Sequence, residues 1–387
     1  MKIYLDNAAT TRLDKEVFKE MEPYFFDGFA NPSSAHGPGR EARRALEKAR
    51  ATIAGLLGAD PSEILFTSGG TEADNIAICS AIRGSGIRLA VTTPFEHHAV
   101  LNTLRSLEKN GEIELVYLMH DERGNISLKH LESILAFNSR AFVSVMHGNN
   151  EIGNLHDIAE IGTLCRKYNA LFHSDTVQTM GHYEFDLRSL PVDFITGSAH
   201  KFNGPKGVGF LYSGSRTSVL PLISGGGQES GRRAGTENVA GILGLAKALE
   251  IACRDLHEDR DRILRLKKEM IAGLRKGIPG ISFNGTSADL DDSLYTVLSV
   301  SLPPLPEMAA ALSYLDSNQI CASGGSACSA HSGHGSHVLK ALAYDFERTA
   351  IRFSFGKYNT SDEIAYTVAR LSDLYQNARL KDLPLAV

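Results

Sequence analysis

The chain has 387 residues, of which 43% are hydrophobic and 22% charged, and its formal net charge is −5. This composition is ordinary for a folded enzyme, and the length exceeds what one hydrophobic core usually fills, so we expect two domains. The small negative charge gives no reason to expect a nucleic-acid partner. No apolar run approaches the roughly 18 residues that a membrane helix needs, so we expect no membrane segment.

Strands and helices are predicted to alternate through the first half of the chain. A helix is predicted from about Glu41 to Leu57, and apolar strands then alternate with helical stretches through about Tyr212. This alternation favours an α/β fold with a mostly parallel sheet covered by helices on both faces. Such sheets bind ligands beyond the carboxyl ends of their strands, so the residues that follow each strand are the first candidates for a site.

A glycine-rich turn follows the first of these strands. The predicted strand Glu63–Thr67 runs directly into Ser68, Gly69, Gly70 and Thr71. Glycines and a hydroxyl residue at the start of a helix present free N–H groups and the positive end of the helix dipole, which suits a phosphate. The turn matches neither a P-loop nor a dinucleotide-binding motif, so a capping turn without a ligand is the alternative.

An aspartate lies toward the C-terminal end of a later apolar run, Leu171–Gln178. Asp175 at such a position can pair with the protonated pyridine nitrogen of pyridoxal 5′-phosphate (PLP), the partner that makes PLP an electron sink. The alternative is a helix cap or a turn residue.

A lysine follows the apolar run Val192–Gly197 in the same way. Lys201 lies among small residues at the end of a buried strand, the position of a Schiff-base amine. Partial burial beside another cation, either Lys206 or a nearby histidine, favours the neutral and nucleophilic amine. A lysine that only solvates a loop is the alternative.

Cys328 lies in a loop of small residues and glycines over residues 322–337. Such a loop has high backbone freedom, and the flanking histidines favour the thiolate, which is the form that attacks sulfur. We therefore expect Cys328 to be a nucleophile. His331, His334 and His337 recur every three residues, but no carboxylate or second cysteine lies near them in the sequence, so we predict no metal.

The other four cysteines are expected to be small core residues: Cys79, Cys165, Cys253 and Cys321. An odd number of cysteines, no C-x-x-C spacing and no signal peptide indicate free thiols in a reducing compartment, which we expect to be the cytoplasm.

The turn, the aspartate and the lysine, in that order and each after an apolar strand, resemble the PLP enzymes of the aspartate-aminotransferase fold, PLP fold type I. More closely, the chain resembles the NifS/IscS cysteine desulfurases of the class-V aminotransferase group, from Tyr4–Thr11 to Ile351–Gly356. This resemblance implies PLP as cofactor, a large domain over residues 14–255, and a smaller α+β domain over residues 1–13 and 256–387. The small domain would carry the Cys328 loop, and the charged helix Asp255–Lys276 would mark the boundary.

The resemblance also implies residue roles. The catalytic residues would be Cys328, Lys201 and His97. The cofactor-binding residues would be Gly70, Thr71, His97, Asn150, Asp175, Gln178, Ser198, His200, Lys201 and Thr236. Thr236 would reach the phosphate of a neighbouring subunit, which implies a homodimer. Arg352 and Asn31 would bind the substrate, and the guanidinium of Arg352 offers a planar fork for a carboxylate.

The activity implied is conversion of L-cysteine to L-alanine, with the sulfur passing to Cys328 as a persulfide and then to a protein acceptor such as an iron–sulfur scaffold. The Gly/His-rich stretch after Cys328 departs from the family pattern and leaves the identity of the acceptor open. A selenocysteine lyase, an aminotransferase and a non-catalytic scaffold of the same fold are the alternatives. An aminotransferase has no use for Cys328, and a scaffold has no need for the lysine, aspartate, histidine and cysteine together.

Overall fold

A computed structural model describes residues 2–138, 140–304, 310–324 and 335–381. Its helices, in chain order, are α1 (Lys15–Met21), α2 (Pro23–Phe26), α3 (Gly37–Leu57), α4 (Gly70–Cys79), α5 (His98–Lys109), α6 (Leu128–Ala136), α7 (Ile158–Lys167), α8 (Val239–Arg254), α9 (Leu256–Gly277), α10 (Ala310–Ser317), α11 (His337–Ala341) and α12 (Ser361–Lys381). Its strands are β1 (Ile3–Tyr4), β2 (Ile64–Thr67), β3 (Leu89–Thr92), β4 (Glu114–Tyr117), β5 (Ala141–Ser144), β6 (Leu171–Asp175), β7 (Phe194–Ser198), β8 (Gly209–Ser213), β9 (Ser282–Phe283), β10 (Val297–Leu302), β11 (Ile320–Cys321) and β12 (Thr349–Ser354). Residues 325–334 of the Cys328 loop, which include Cys328, His331 and His334, lie outside the described residues.

A seven-stranded sheet with the order β2-β8-β7-β6-β5-β3-β4 forms the centre of the large domain. β8 runs antiparallel to both of its neighbours, and the other strands run in one common direction. Every residue of the interior strands is buried, whereas the edge strand β4 is partly exposed. Burial on both faces is the reason that these strands are rich in apolar residues. The predicted mostly parallel sheet flanked by helices is confirmed.

The helix predicted from Glu41 begins earlier, at Gly37. The imidazole Nδ1 of His36 accepts a hydrogen bond from the amide of Gly39 at 3.2 Å, and Pro38 lies in the first turn, where its missing N–H costs nothing. The helix ends before Gly58, which has a φ of +67° that glycine adopts without strain. A histidine cap followed by proline therefore extends the helix by one turn.

The C-terminal part of the chain forms a smaller α+β unit. Its three-stranded sheet has β10 between β12 and β9, all antiparallel, and β1 pairs with β11 in a separate parallel ribbon. Ile3 and Leu5 pack in the same hydrophobic core as residues between Ile263 and Tyr375, apart from the core of the large sheet. The division at residues 255 and 256, with residues 1–13 in the small domain, stays a prediction, since Leu13 packs against the core of the large sheet.

None of the helices within the described residues combines the length and the apolar composition that crossing a bilayer requires.

A buried ion pair joins α3 to the segment before α8. The carboxylate of Glu229 accepts hydrogen bonds from Arg50 Nη1 at 2.9 Å and Nη2 at 2.6 Å, and a third from the amide of Phe66 in β2 at 2.9 Å. Glu229 and Ser230 have φ values of +48° and +58°, a region that non-glycine residues rarely adopt. The contacts of Glu229 therefore hold a strained turn against the strand that leads to the 68–71 turn.

Substitution Glu229→Gln is expected to destabilise the protein, because it removes the buried counter-charge of the Arg50 guanidinium and leaves it paired with the half-exposed Glu47 at Nε. The free energy of unfolding should fall by about 3 kcal/mol, measured by urea denaturation. Glu112→Gln is the matched control, since the Arg83–Glu112 pair is largely exposed and its loss should leave the urea midpoint unchanged. Equal midpoints for wild type and Glu229→Gln would contradict this role of the pair.

Candidate active site

The carboxyl ends of the co-directional strands open onto one cavity of about 660 Å³. Across the edge of the sheet lie the 68–71 turn after β2, Lys201 after β7, Asp175 at the end of β6, Asn150 after β5, and His97 after β3. The cavity is lined by most of the residues named from the sequence: Gly70, Thr71, His97, Asn150, Asp175, Gln178, Ser198, His200, Lys201 and Arg352. Residues from five separate strand ends therefore converge on a single site.

The 68–71 turn forms one wall of the cavity and starts α4 at Gly70. A Cβ atom at Gly70 would lie 2.6 Å from a methyl carbon of Val177, so only glycine permits this close approach. The first amides of α4 have no intrahelical acceptor, and together with the helix dipole they can bind an anion. Ser198 and His200 line the same cavity, so the chemistry of this wall fits a phosphate.

Two buried carboxylates meet at the end of β6. Burial raises the pKa of Asp175 to about 6, with a further contribution from the nearby charge of Asp74. Burial also raises the pKa of Asp74 itself to about 7, against a hydrogen bond from Thr196. Oxygens of both carboxylates lie within 4.8 Å of each other and of a ring nitrogen of His97. Such a site is stabilised by a cationic group, and the protonated ring nitrogen of a pyridine is of that kind.

His97 caps α5 with its ring. Its Nδ1 accepts a hydrogen bond from the amide of Ala99 at 3.2 Å, so the neutral ring carries its proton on Nε2. Burial lowers the pKa of His97, opposed by the charge of Asp175 and reinforced by that of Lys201. At neutral pH the ring is therefore uncharged.

Lys201 ends a short 3₁₀ turn, Ala199–Lys201, directly after β7. Its Nζ donates hydrogen bonds to the carbonyl oxygens of Ala8 at 2.5 Å and Ala9 at 3.0 Å. Gln178 Nε2 donates to the same Ala8 oxygen at 3.1 Å. The N-terminal segment thus holds the amine at the cavity.

Arg352 in β12 brings the small domain to the site. Its Nη1 donates to the backbone oxygen of Asn150 at 2.9 Å and its Nη2 donates to Asp6 at 2.8 Å, while its side chain is only 2% exposed. The Nε–H is buried and has no acceptor among the described residues. A buried guanidinium with a spare donor at a cavity wall is suited to a carboxylate ligand.

Two residues named from the sequence do not reach this cavity. Asn31 is exposed, and its side-chain oxygen accepts a hydrogen bond from the amide of Ser33 at 2.8 Å. Thr236 is exposed as well. Neither side chain lines the site of its own chain. Cys328 lies outside the described residues, so its nucleophilic role stays a prediction.

The prediction of core positions for the other cysteines holds fully for Cys165 alone, which is 1% exposed. It holds in part for Cys253, which is partly exposed and packs against the core of the large sheet. It is wrong for Cys79 and Cys321, which are partly exposed because they lie at the ends of their elements, where neighbouring elements cover them less. Burial raises the pKa of the Cys165 thiol to about 12, and burial also raises the pKa values of Cys79 and Cys253. These three thiols are weak nucleophiles at neutral pH.

Sequence reasoning gave no role to several buried acids around the site. Glu96 precedes His97 and is fully buried, and burial raises its pKa well above the usual range. Its Oε1 accepts a hydrogen bond from the amide of Met146 at 2.8 Å. Glu151 accepts a hydrogen bond from Ser336 at the end of the Cys328 loop. The adjacency of Glu96 to His97 was the one available signal.

The residues present fit PLP. The cavity offers an anion-binding helix start, buried carboxylates that favour a cationic ring nitrogen, an uncharged imidazole and a primary amine. Each of these groups matches one part of that cofactor, namely its phosphate, pyridine nitrogen, ring and aldehyde.

Comparisons with known proteins agree with this geometry. The family model for aminotransferase class-V matches residues 3–366. The chain is 41% identical over 383 residues to a protein named cysteine desulfurase IscS from Dictyoglomus turgidum, covering 98% of this chain and 95% of the relative. It is 41% identical over 378 residues to putative cysteine desulfurase IscS 1 from Bacillus subtilis, covering 96% and 98%.

A solved structure titled NifS-like protein superposes with a TM-score of 0.89 at 37% identity, covering 97% of this chain and all of that one. The shared family model, the full-length identity and the shared fold lead to one conclusion: the chain belongs to the class-V aminotransferase family, in its NifS/IscS group of PLP-dependent cysteine desulfurases.

Proposed function

We propose that this protein is a cysteine desulfurase that converts L-cysteine to L-alanine and takes the sulfur on Cys328. The observation that carries the proposal is the single cavity in which the amine of Lys201, the carboxylate of Asp175 and the guanidinium of Arg352 meet. This combination provides an attachment point, a partner for a ring nitrogen and a group for a substrate carboxylate. The full-length similarity to proteins named cysteine desulfurase selects the reaction.

The chain's own residues hold the cofactor in this proposal. The α4 amides with Thr71, Ser198 and His200 would hold the phosphate, and Asp175 would stabilise the protonated ring nitrogen. His97, Asn150 and Gln178 would help to hold the ring. When bound, PLP supplies an electron sink that stabilises charge at the substrate Cα and so weakens the C–S bond.

Arg352 orients the substrate by pairing with its carboxylate. Its two terminal nitrogens are already held by Asn150 and Asp6, so the guanidinium has little freedom to move. Lys201 or the Nε2 side of His97 moves the α-proton, because both side chains border the cavity.

The sulfur of the substrate is transferred to the thiolate of Cys328. The Cys328 thiolate attacks the substrate sulfur and forms an S–S bond, the Cβ–S bond of the substrate breaks, and a proton completes the methyl group of alanine. The protein keeps the sulfur as a persulfide, so no external oxidant or reductant is needed. The outer sulfur of this persulfide then passes to a protein acceptor such as an iron–sulfur scaffold.

We further propose a cytoplasmic homodimer. Large apolar side chains of α1, α2 and the segment that follows are exposed in the single chain: Phe18, Phe25, Phe26 and Phe29. Exposed large apolar side chains of this kind favour association. Asn31 and Thr236 are exposed and away from their own cavity, which suits residues that serve the site of a second copy.

Cys328→Ala is expected to abolish product formation and leave the cofactor bound, because the thiol acts only on the substrate sulfur. The assay measures alanine and sulfide from L-cysteine with a reductant, together with the visible absorbance of bound PLP. Cys321→Ala, seven residues away, is the matched control and should keep most of the activity. Normal turnover by Cys328→Ala would contradict the proposal. A wild-type protein that shows no visible absorbance of bound PLP after PLP is added would favour the scaffold alternative.

Arg352→Lys should raise the KM for L-cysteine about 100-fold with a smaller change in kcat, since a lysine retains the charge and loses the fork that pairs with the carboxylate. Steady-state kinetics of alanine release provide the measurement. Arg348→Lys is the control, because Arg348 bonds Ser301 and the backbone of residues 280 and 301 away from the cavity. An unchanged KM in Arg352→Lys would exclude the role in substrate binding.

Asp175→Asn should have opposite effects on stability and on cofactor binding. The folded pKa of about 6 lies above the unfolded value near 3.8, so the stability of the cofactor-free protein falls as pH rises from about 4 to about 6, and the deficit is complete above that window. Urea denaturation at pH 7.5 should therefore show the cofactor-free variant to be more stable than wild type, and at pH 4 the two should agree. PLP titration at pH 7.5 should show weaker binding by the variant. A variant less stable than wild type at pH 7.5 would contradict the assignment.

A further inference from the structure

A carboxylate lies in the cavity wall where the phosphate would bind. Glu72 is the third residue of α4, directly after Thr71, and it lines the cavity with a side chain that is only 10% exposed. Its Oε2 accepts a hydrogen bond from the amide of Ser68 at 2.7 Å, which closes the 68–71 turn. The pKa of Glu72 is lowered, because hydrogen bonds from Arg233 and Ser68 outweigh burial, so this carboxylate is ionised at neutral pH.

An ionised carboxylate at this place opposes the binding of a dianion. Two negative groups in one partly buried site repel each other by an amount comparable to the binding energy of one hydrogen bond or more. The positive end of α4 attracts both of them and does not remove their mutual repulsion. The site therefore needs a fixed positive charge on Glu72.

Arg233 supplies that charge from outside the cavity. Its Nε donates to Glu72 Oε1 at 2.8 Å and its Nη2 donates to Oε2 at 3.2 Å, a fork-to-carboxylate pair. The Arg233 side chain is 21% exposed and does not line the cavity. It therefore reaches the phosphate site only through Glu72.

We propose that Arg233 is a positioning residue of the cofactor site, which neutralises Glu72 and thereby lets the 68–71 turn and the start of α4 accept the phosphate dianion. Glu72 shapes the turn through Ser68, and Arg233 removes the electrostatic penalty of using a carboxylate for that purpose. This inference rests on the proposed binding of PLP.

The test compares the dissociation constants of PLP and of pyridoxal, which lacks the phosphate, by absorbance titration of the cofactor-free full chain. Arg233→Gln should weaken PLP binding about tenfold and leave pyridoxal binding unchanged, because only the phosphate senses the freed carboxylate. Arg233→Lys keeps the charge and should bind PLP within about threefold of wild type. Glu72→Gln should bind PLP as tightly as wild type or more tightly.

The double variant Glu72→Gln/Arg233→Gln decides whether Arg233 acts through Glu72. Recovery of PLP affinity to within about threefold of wild type supports the proposal, whereas affinity as weak as that of Arg233→Gln overturns it. An equal loss for PLP and pyridoxal in Arg233→Gln, or no loss for either, also overturns it. Should Arg233→Gln not fold, Glu72→Gln decides alone, since selectively weaker PLP binding in that variant contradicts the proposal.

Arg83→Gln, in an exposed arginine–glutamate pair, is the matched control and should alter neither constant. The proposed function and this inference fail in different ways. A wild type that binds neither PLP nor pyridoxal removes both. A wild type that binds PLP and releases alanine, with an affinity ratio unaffected by Arg233→Gln, removes only the role of Arg233.

Discussion

The shared direction of the strands on either side of β8 is the constraint from which the site follows. Because β2, β7, β6, β5 and β3 all point the same way, the residues after each of them must meet at one edge of the sheet. β8 runs in the opposite direction and separates β2 from the others, which leaves room beside β7 for the 68–71 turn to pack against Ser198. The direction of the strands therefore determines where the phosphate wall, Lys201 and Asp175 lie.

Electrostatics give this edge its chemical character. Asp175 and Asp74 are buried close together with raised pKa values, an arrangement that costs stability unless a cation joins them. On the phosphate side the balance is reversed, since Glu72 carries its own counter-ion in Arg233 and the free amides of α4 stay available for an anion. One cavity thus favours a positive group at one end and a negative group at the other, which matches a molecule with a basic ring and a phosphate.

Lys201, Asp175 and the 68–71 turn could be found from the sequence because each directly follows a buried apolar strand, and strand ends are local features. Glu72 and Arg233 could not, because they are 161 residues apart and only tertiary packing brings the pair together. The exposure of Asn31 was also hidden, since the family resemblance places it near the substrate without saying which copy of the chain it faces. The extra turn of α3 came from a histidine cap, a signal that simple helix periodicity does not contain.

The contact between Lys201 and the carbonyls of Ala8 and Ala9 places this segment at the edge of the cavity. The same short segment holds Arg352 through Asp6, and the Ala8 amide donates to the hydroxyl of Ser354 at 2.8 Å. One short segment therefore holds both the Lys201 amine and the Arg352 guanidinium, although these belong to different sheets. Substitutions within residues 6–9 would therefore change the chemistry of the cavity as well as the packing between the two sheets.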